Sequence, residues 1–385
     1  MEAYLDNSAT TRCLESVADI VRKTMLEDYG NPSSKHLKGV EAERYLRESR
    51  EIIAKTLKVN EKEIYFTSGG TESNNWALVG AAMANRRRGN RIITTAVEHA
   101  AVLQPMLYLQ EQGFDITFLP VDRYGRIRLE ALEEALTEDT ILVSVMYVNN
   151  EVGAAEPISE VRRLMNAKAP DALLHVDAIQ AYGKYRILPK KEGIDLLSVS
   201  GHKIHGPKGI GFLYINERAK IRPLILGGGQ QKGMRSGTDN VPGAAGLGVA
   251  AKEAYDHFEE KQAYLYQLKE FFMEGVSKLP GVTINSLPGR ESAPQIVSVS
   301  FAGVRSEVLL HALEEKGIFV SSGSACSSNK KLPVSTVLKE IGLPAELLDS
   351  TLRFSFCTHT TEEELTYCLD TLGELLPVLR RFSRR

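Results

Sequence analysis

Cysteine is scarce in this sequence, and its four copies include no closely spaced pair. Zinc sites and disulfide frameworks are usually built from such pairs, so the sequence predicts neither a metal site nor a disulfide scaffold. An excess of one charge sign is also lacking: 47 basic residues face 49 acidic ones, for a net charge of −2. This balance gives no electrostatic reason to expect nucleic acid or a membrane as a direct partner.

Long hydrophobic runs are missing as well. The longest apolar runs, such as residues 141–148, are far too short to cross a bilayer. The N-terminus, Met1-Glu2-Ala3-Tyr4, lacks the basic-then-apolar order of a signal peptide. We therefore expect a cytoplasmic protein with reduced thiols.

Short β-rich runs alternate with helical patterns between residues 60 and 215. This alternation is typical of a parallel sheet covered by helices on both faces. The last two runs are separated by about ten residues, too few for a parallel crossover, so that pair should be antiparallel. The predicted fold is α/β, with a seven-stranded mixed, mostly parallel sheet. The predicted strands are 63–68, 91–97, 115–121, 140–148, 173–178, 196–200 and 210–215.

The order of elements changes after residue 215. A helix is predicted over 244–279, followed by strands and helices in an α+β arrangement. We expect a large domain over residues 14–258 and a smaller α+β domain formed by residues 1–13 and 259–385.

Lys203 follows a predicted strand in the segment Ser200-Gly201-His202-Lys203. Ligands bind at the carboxyl ends of strands in open α/β sheets, and neighbours there can make a lysine a competent Schiff-base nucleophile. A surface turn lysine is the alternative. Asp177, at another strand end, can hold a pyridinium nitrogen protonated. His99 closes a third strand and could stack on the same ring, so these three residues point to one site.

The segment Thr67-Ser68-Gly69-Gly70-Thr71 links a strand to a helix. Its glycines let backbone N–H groups approach an anion at the helix start, although a plain helix N-terminus fits too. The residues around Gly228 fail both the dinucleotide and the Walker fingerprints. A different phosphate-bearing cofactor therefore fits better than NAD or ATP.

Two further residues are candidates for chemistry. Cys326 lies in a loop of small residues that can move and leaves a thiol accessible. The other cysteines, Cys13, Cys357 and Cys368, are expected to be structural. Arg353 is a charge within an apolar strand, where it could bind a substrate carboxylate; an internal ion pair is the alternative.

Taken together, these segments resemble the cysteine desulfurases, the NifS/IscS group of fold-type-I pyridoxal-phosphate enzymes in the class-V aminotransferase family. The match runs almost end to end, through Tyr4–Thr11, Gly30–Ser34, Ser68–Ser73, Val148–Glu151, His175–Asp177, Ser200–Lys203, Arg235–Thr238 and Ser321–Cys326. The Ser321–Cys326 segment resembles the first class of the family, whose cysteine loop is mobile.

The resemblance implies a role for each matching residue. Lys203 would hold pyridoxal phosphate as a Schiff base, Asp177 would pair with the pyridine nitrogen, and His99 would stack on the ring and handle protons. Cys326 would take the sulfur of L-cysteine as a persulfide while L-alanine leaves. The remaining implied cofactor contacts are Gly70, Thr71, Ser200 and His202 at the phosphate, Thr238 from the partner subunit of a homodimer, and Gln180 and Asn150 at the pyridoxal. Arg353, at the substrate carboxylate, and Asn150 would bind the substrate.

The resemblance also implies that sulfur passes to an acceptor protein, for iron–sulfur cluster assembly or for thiolation of tRNA or a cofactor. Two departures bear on this. Gly70 replaces an alanine often found in the phosphate loop, and the chain ends soon after its last predicted helix, which raises the chance of an acceptor other than an iron–sulfur scaffold. The alternatives are a selenocysteine lyase, another lyase or aminotransferase on the same fold, and a non-catalytic partner subunit. The last of these would be expected to lose Lys203, Asp177 or Cys326.

Overall fold

The computed structural model describes residues 1–322 and 335–382 of the 385-residue chain. The strands are β1 (Ala3–Tyr4), β2 (Ile64–Thr67), β3 (Arg91–Thr95), β4 (Asp115–Leu119), β5 (Thr140–Met146), β6 (Leu173–Asp177), β7 (Leu196–Ser200), β8 (Gly211–Ile215), β9 (Val282–Ile284), β10 (Ile296–Phe301), β11 (Ile318–Phe319) and β12 (Thr351–Ser355). The α-helices are α1 (Glu15–Leu26), α2 (Leu37–Leu57), α3 (Gly70–Asn85), α4 (Ala100–Glu111), α5 (Leu129–Ala135), α6 (Ile158–Lys168), α7 (Pro189–Glu192), α8 (Val241–Tyr255), α9 (Phe258–Ser277), α10 (Ser306–Glu314), α11 (Thr336–Glu340), α12 (Ala345–Leu348) and α13 (Glu362–Phe382). Short 3₁₀ turns lie at Glu61–Glu63, Gly201–Lys203, Gln230–Gly233 and Gly289–Glu291.

The largest sheet has seven strands in the order β2-β8-β7-β6-β5-β3-β4. Strand β8 runs antiparallel to both of its neighbours, and the other pairs that involve β3 to β7 are parallel. The predicted seven-stranded mixed sheet, with its antiparallel pair, is confirmed. Because β2 and β7 both oppose β8, the carboxyl ends of β2, β3, β5, β6 and β7 meet at one edge. That edge is where a doubly covered sheet binds its ligands.

Both faces of this sheet are buried, which is why its strands are continuous apolar runs. Leu173 and Leu196 pack with residues of α3 and α4 on one face. Leu174 and Leu197, each one position later, pack with residues of α1, α2, α6 and α8 on the other face. The two-residue period of a strand therefore divides the core into two layers.

A second core is built on smaller sheets. Strands β12, β10 and β9 form an antiparallel sheet, and β1 pairs in parallel with β11. Phe272 of α9 packs against Phe354 of β12 with ring centroids 4.7 Å apart, and Ala3 and Leu5 belong to the same cluster. The N-terminal residues thus pack with residues that follow position 258, while the predicted division into two domains stays a prediction.

The helix predicted over 244–279 is wrong as a single element. Helix α8 ends at Tyr255 and α9 starts at Phe258, with His257 in the left-handed region at φ +47°. Apolar residues continue at helical spacing on both sides of this break, so the sequence pattern did not reveal it. None of the helices in the described parts of the chain is long and apolar enough to cross a membrane.

Candidate active site

Lys203 lies in a 3₁₀ turn that follows β7, at the ligand-binding edge of the large sheet. Its Nζ donates to the carbonyl oxygens of Ser8, at 2.5 Å, and Ala9, at 2.7 Å. The turn is held from the same side, because Thr11 donates its N–H and its Oγ1–H to the carbonyl of His202 at 2.9 and 2.8 Å. The N-terminal segment therefore covers the lysine, although it is almost two hundred residues away in sequence.

Asp177 ends β6 and is 4% exposed. Its carboxylate accepts from Nδ2 of Asn74 at 2.7 Å and from the N–H of Ile179 at 3.0 Å. Burial raises the pKa of Asp177, and the neighbouring His99 and Lys203 act in the opposite direction. The lysine, the aspartate and the histidine are thus close enough for their charges to interact.

His99 is the N-cap of α4, where its Nδ1 accepts the N–H of Ala101 at 3.1 Å. With Nδ1 acting as an acceptor, the proton of the neutral ring is on Nε2. Burial lowers the pKa of His99, Lys203 lowers it further, and Asp177 opposes both. A neutral ring with a defined proton position is suited to face a flat aromatic cofactor.

The start of α3 forms an anion cradle beside these residues. Gly69 is in a conformation at φ +148° that favours glycine, and the first N–H groups of a helix have no partner within the helix. A β-carbon on Gly70 would lie 2.2 Å from Cδ1 of Ile179, so the isoleucine occupies the space that alanine would need. Thr71 is exposed at this helix start, and Ser200, at the end of β7, is buried next to it. His202 follows two residues after Ser200, with its Nδ1 3.2 Å from Oγ1 of Thr10 and a pKa lowered to about 4, mainly by burial.

Arg235 connects the cradle to the segment that carries Thr238. Its guanidinium binds Glu72 through two hydrogen bonds of 2.8 and 3.0 Å, while Glu72 also accepts the N–H of Ser68 at 2.8 Å. These bonds and the Arg235 charge lower the pKa of Glu72 against the effect of burial. Thr238 itself is exposed.

Arg353 forms an internal ion pair, which the sequence analysis gave as the alternative to binding a substrate carboxylate. Its NH2 group donates to Oδ1 of Asp6 at 2.7 Å and its NH1 group to the carbonyl of Asn150 at 2.8 Å. Its Nε is buried and has no hydrogen-bond partner among the described residues. Gln180, also predicted for the site, donates to the Ser8 carbonyl at 3.0 Å, on the same oxygen as Lys203.

Cys326 lies outside the described residues, but both flanks of its segment are held near Arg353. Ser321 and Arg353 exchange backbone hydrogen bonds of 3.2 and 2.7 Å. On the other side, Ser335 donates to Oε2 of Glu151 at 2.5 Å. The segment that contains Cys326 therefore leaves and rejoins the described structure beside Arg353 and the residue that follows Asn150.

Sequence reasoning missed several residues that shape the site. Asn74, which holds Asp177, lies four residues beyond Gly70 on the same buried helix face, so helical spacing could have indicated it. Glu98 is buried and accepts from Thr95 and from the N–H of Met146; burial raises its pKa. Lys184 donates to the carbonyl of Lys203 at 2.6 Å, a contact that no local pattern signals.

Comparison with known proteins agrees with this fold and site. The aminotransferase class-V family model matches residues 3–368. The chain is 43% identical over 380 residues to a cysteine desulfurase IscS of Methanosarcina thermophila, covering 99% of this chain and 93% of that protein. Among solved structures, a NifS-like protein superposes with a TM-score of 0.93 at 41% identity, covering 98% of this chain and 100% of that chain. A structure of SspA in complex with cysteine superposes with a TM-score of 0.81 at 32% identity, covering 93% and 100% of the respective chains.

The chain belongs to the aminotransferase class-V family of enzymes. Within that family it belongs to the cysteine desulfurases, as the identity over almost its whole length shows.

Proposed function

We propose that this enzyme takes the sulfur from L-cysteine, releases L-alanine and leaves the sulfur as a persulfide on Cys326. The observation that carries the proposal is the meeting of Lys203, Asp177 and His99 at one sheet edge, next to the glycine-led start of α3. The similarity to enzymes named cysteine desulfurases supports the choice of substrate.

The residues at this edge fit pyridoxal phosphate. Asp177 is a buried carboxylate whose only described donors are Asn74 and a backbone N–H, so a protonated pyridine nitrogen is a suitable further partner. Gly70, Thr71, Ser200 and His202 would hold the phosphate, Gln180 and Asn150 would contact the pyridoxal, and Lys203 would form the covalent link. When bound, the cofactor supplies an electron sink for the negative charge that develops at Cα of cysteine.

The chain's own groups would then move the protons and the sulfur. Lys203 takes the proton from Cα of the substrate through its Nζ. His99, which carries its own proton on Nε2, handles the proton of the substrate thiol. The thiolate of Cys326 would form a bond to the substrate sulfur as the bond between Cβ and sulfur breaks. The electron pair of the broken bond stays on Cβ, which takes up a proton before alanine leaves. Arg353 would bind the substrate carboxylate through Nε, which has no hydrogen-bond partner among the described residues, and by exchanging Asp6 for the substrate.

Two further parts of the proposal concern partners. The exposed Thr238 is carried on a segment held by the Arg235–Glu72 pair, and we place it in the phosphate site of the partner subunit of a homodimer. The sulfur on Cys326 would pass to an acceptor protein that serves iron–sulfur cluster assembly or thiolation of tRNA or a cofactor.

The test supplies the purified enzyme with L-cysteine and a thiol reductant and measures alanine and sulfide together. We expect equal yields of the two products. Lys203→Ala should abolish both products and the visible absorption of the bound cofactor, whereas Cys326→Ala should keep that absorption and lose sulfide production.

Cys13→Ala is the matched control, since Cys13 is an exposed cysteine to which the proposed reaction assigns no role. It should behave as the unmodified enzyme. Sulfide release at an undiminished rate by Cys326→Ala would contradict the assignment of Cys326, and alanine without sulfide in the unmodified enzyme would contradict the reaction.

A further inference from the structure

Three side chains of types that can ligate a metal meet beside the turn that carries Lys203. His205 lies two residues after Lys203, and Cys357 and His359 follow the end of β12. Each of the three has a ligating atom within 4.8 Å of the other two. Around a tetrahedral zinc ion, two ligating atoms lie about 3.3–3.6 Å apart. Small rotations of the side chains would therefore bring the three atoms to coordination distance.

The ring of His205 is already oriented as in a metal ligand. Its Nδ1 lies 2.8 Å from the carbonyl oxygen of Arg12, and because a carbonyl can only accept, Nδ1 carries the proton. The lone pair is then on Nε2, which is left to coordinate. Metal-binding histidines typically donate their second ring N–H to a backbone carbonyl in this way, which fixes the tautomer and the ring orientation.

Cys357 would supply a soft sulfur ligand, and His359 would supply a ligand from an exposed side chain that can move. Cys357 is half-buried, its N–H donates to Oγ1 of Thr360 at 3.0 Å, and that hydroxyl is 3.8 Å from the cysteine Sγ. His359 is exposed and packs edge-on against His205 with ring centroids 5.2 Å apart. The cysteine is thus fixed in place, and the histidine is free to adjust its ring.

One face of the cluster opens into a cavity of about 420 Å³ that Lys203 also lines. Lys184 lies close to Cys357 and opposes a cation there, and Lys203 and Lys261 line the same cavity. Glu253 and Glu260, which also line it, offset part of this positive charge. The open space beside three ligands leaves room for a fourth, such as water. Three protein ligands with one open position are the arrangement of accessible zinc sites, and a nitrogen and sulfur ligand set favours zinc over magnesium or calcium.

We propose that His205, Cys357 and His359 form a binding site for a thiophilic divalent cation of the zinc type, with an open coordination position toward the cavity. The site lies between the turn of Lys203 and the residues that follow β12, so the ion would link these two segments. This inference does not depend on the reaction proposed above.

The test uses Co²⁺ as a spectroscopic substitute for zinc. The cofactor-loaded enzyme is first freed of metals with a chelator and is then kept free of oxygen and of cysteine. We expect one bound Co²⁺ per chain, with a thiolate-to-cobalt charge-transfer band. Since loss of an outer partner alone weakens metal binding about 10–100-fold, Cys357→Ser and His359→Ala should each weaken it at least tenfold and remove or reshape the band.

Two variants serve as controls. His257→Ala removes another exposed histidine, and Cys326→Ala removes the thiol of the proposed sulfur carrier. Both should keep the full Co²⁺ stoichiometry and the band. His359→Ala changes an exposed side chain, and its circular dichroism and cofactor absorption should match those of the unmodified enzyme.

Three results would overturn the site: no Co²⁺ bound at equimolar concentrations, a band that survives Cys357→Ser, or a band that disappears in Cys326→Ala. None of them bears on alanine and sulfide yields, so a failed metal site leaves the proposed reaction standing.

Discussion

At the scale of single residues, the protein buries several ionisable groups, and these groups differ in how many hydrogen-bond partners they have. Asp177 has two donors, whereas Glu156, at 5% exposure, has one: the N–H of Ile127 at 2.9 Å on Oε2. The other carboxylate oxygen of Glu156 has no partner among the described residues. A charged carboxylate so placed is costly, so the group is expected to keep its proton.

This environment predicts a pH dependence of stability. Burial raises the pKa of Glu156 to about 8. The unfolded chain therefore releases this proton near the ordinary value of 4.5, while the folded chain holds it to about pH 8. Between these values the folded state binds more protons than the unfolded state, so this residue's contribution to the free energy of unfolding decreases as the pH rises, by up to about 1.4 kcal/mol per pH unit.

Glu156→Gln should remove that dependence, because the amide keeps an acceptor for Ile127 and does not ionise. Unfolding by denaturant at several pH values would measure the difference between variant and parent. Glu160→Gln, at an exposed position on α6, is the control and should leave the pH profile unchanged. Parallel profiles for the parent and Glu156→Gln would show that the carboxyl group does not hold its proton.

At the scale of elements, the short helix α11 depends on its cap. Ser335 accepts the N–H of Leu338 at 3.1 Å while it donates to Glu151 at 2.5 Å. Leu338 and Val337 are buried against Val97 and Val152, near the edge that carries the site. One side chain thus fixes both the start of the helix and its position on the large sheet.

Ser335→Ala should loosen α11 without affecting the cofactor site. Loss of an N-cap costs about 1 kcal/mol, a factor of about five in the population of the ordered helix. Amide hydrogen exchange at Leu338 and Lys339, whose N–H groups bond to Ser335, should speed up by that factor, while exchange in β6 and β7 stays the same. Thr336→Ala, an exposed change in the same helix, should not speed exchange; equal rates in Ser335→Ala and the parent would contradict the cap's importance.

At the scale of the whole molecule, the proposed homodimer predicts that two defective chains can repair one another. Lys203→Ala removes the covalent link in its own site, and Thr238→Val weakens the phosphate site of the partner. In a mixed dimer, the site that keeps Lys203 receives an intact Thr238 from the Lys203→Ala chain. Mixing the two variants after reversible dissociation should therefore raise sulfide production above that of either alone.

At most one of the two sites in each mixed dimer can be restored in this way. Mixing Lys203→Ala with Asp177→Ala, both defective within the same site, is the control. That mixture should gain nothing, because its dimers have no complete site. Equal activity in the two mixtures would place Thr238 in its own chain's site or outside any site.

The amino-acid sequence by itself determined the seven-stranded sheet and the edge where Lys203, Asp177 and His99 meet. Alternating apolar runs and short connections specify strand type and direction locally, and parallel strands necessarily bring their carboxyl ends to one edge. The sequence also predicted no metal site from cysteine spacing, and this stays a prediction; spacing along the chain cannot detect side chains such as His205 and Cys357 that only the fold brings together. The break between α8 and α9 escaped it because the apolar spacing continues across the break.

The tertiary structure alone decided which groups complete that edge. The Ser8 and Ala9 carbonyls on Lys203, the Asp6 carboxylate on Arg353, and Asn74 on Asp177 join residues 195, 194, 347 and 103 positions apart. Such contacts form only when long loops have closed around the packed cores, and no local periodicity encodes them. Short-range propensity thus located the reactive residues, and the packing of the N-terminal segment and the small sheets determined their partners.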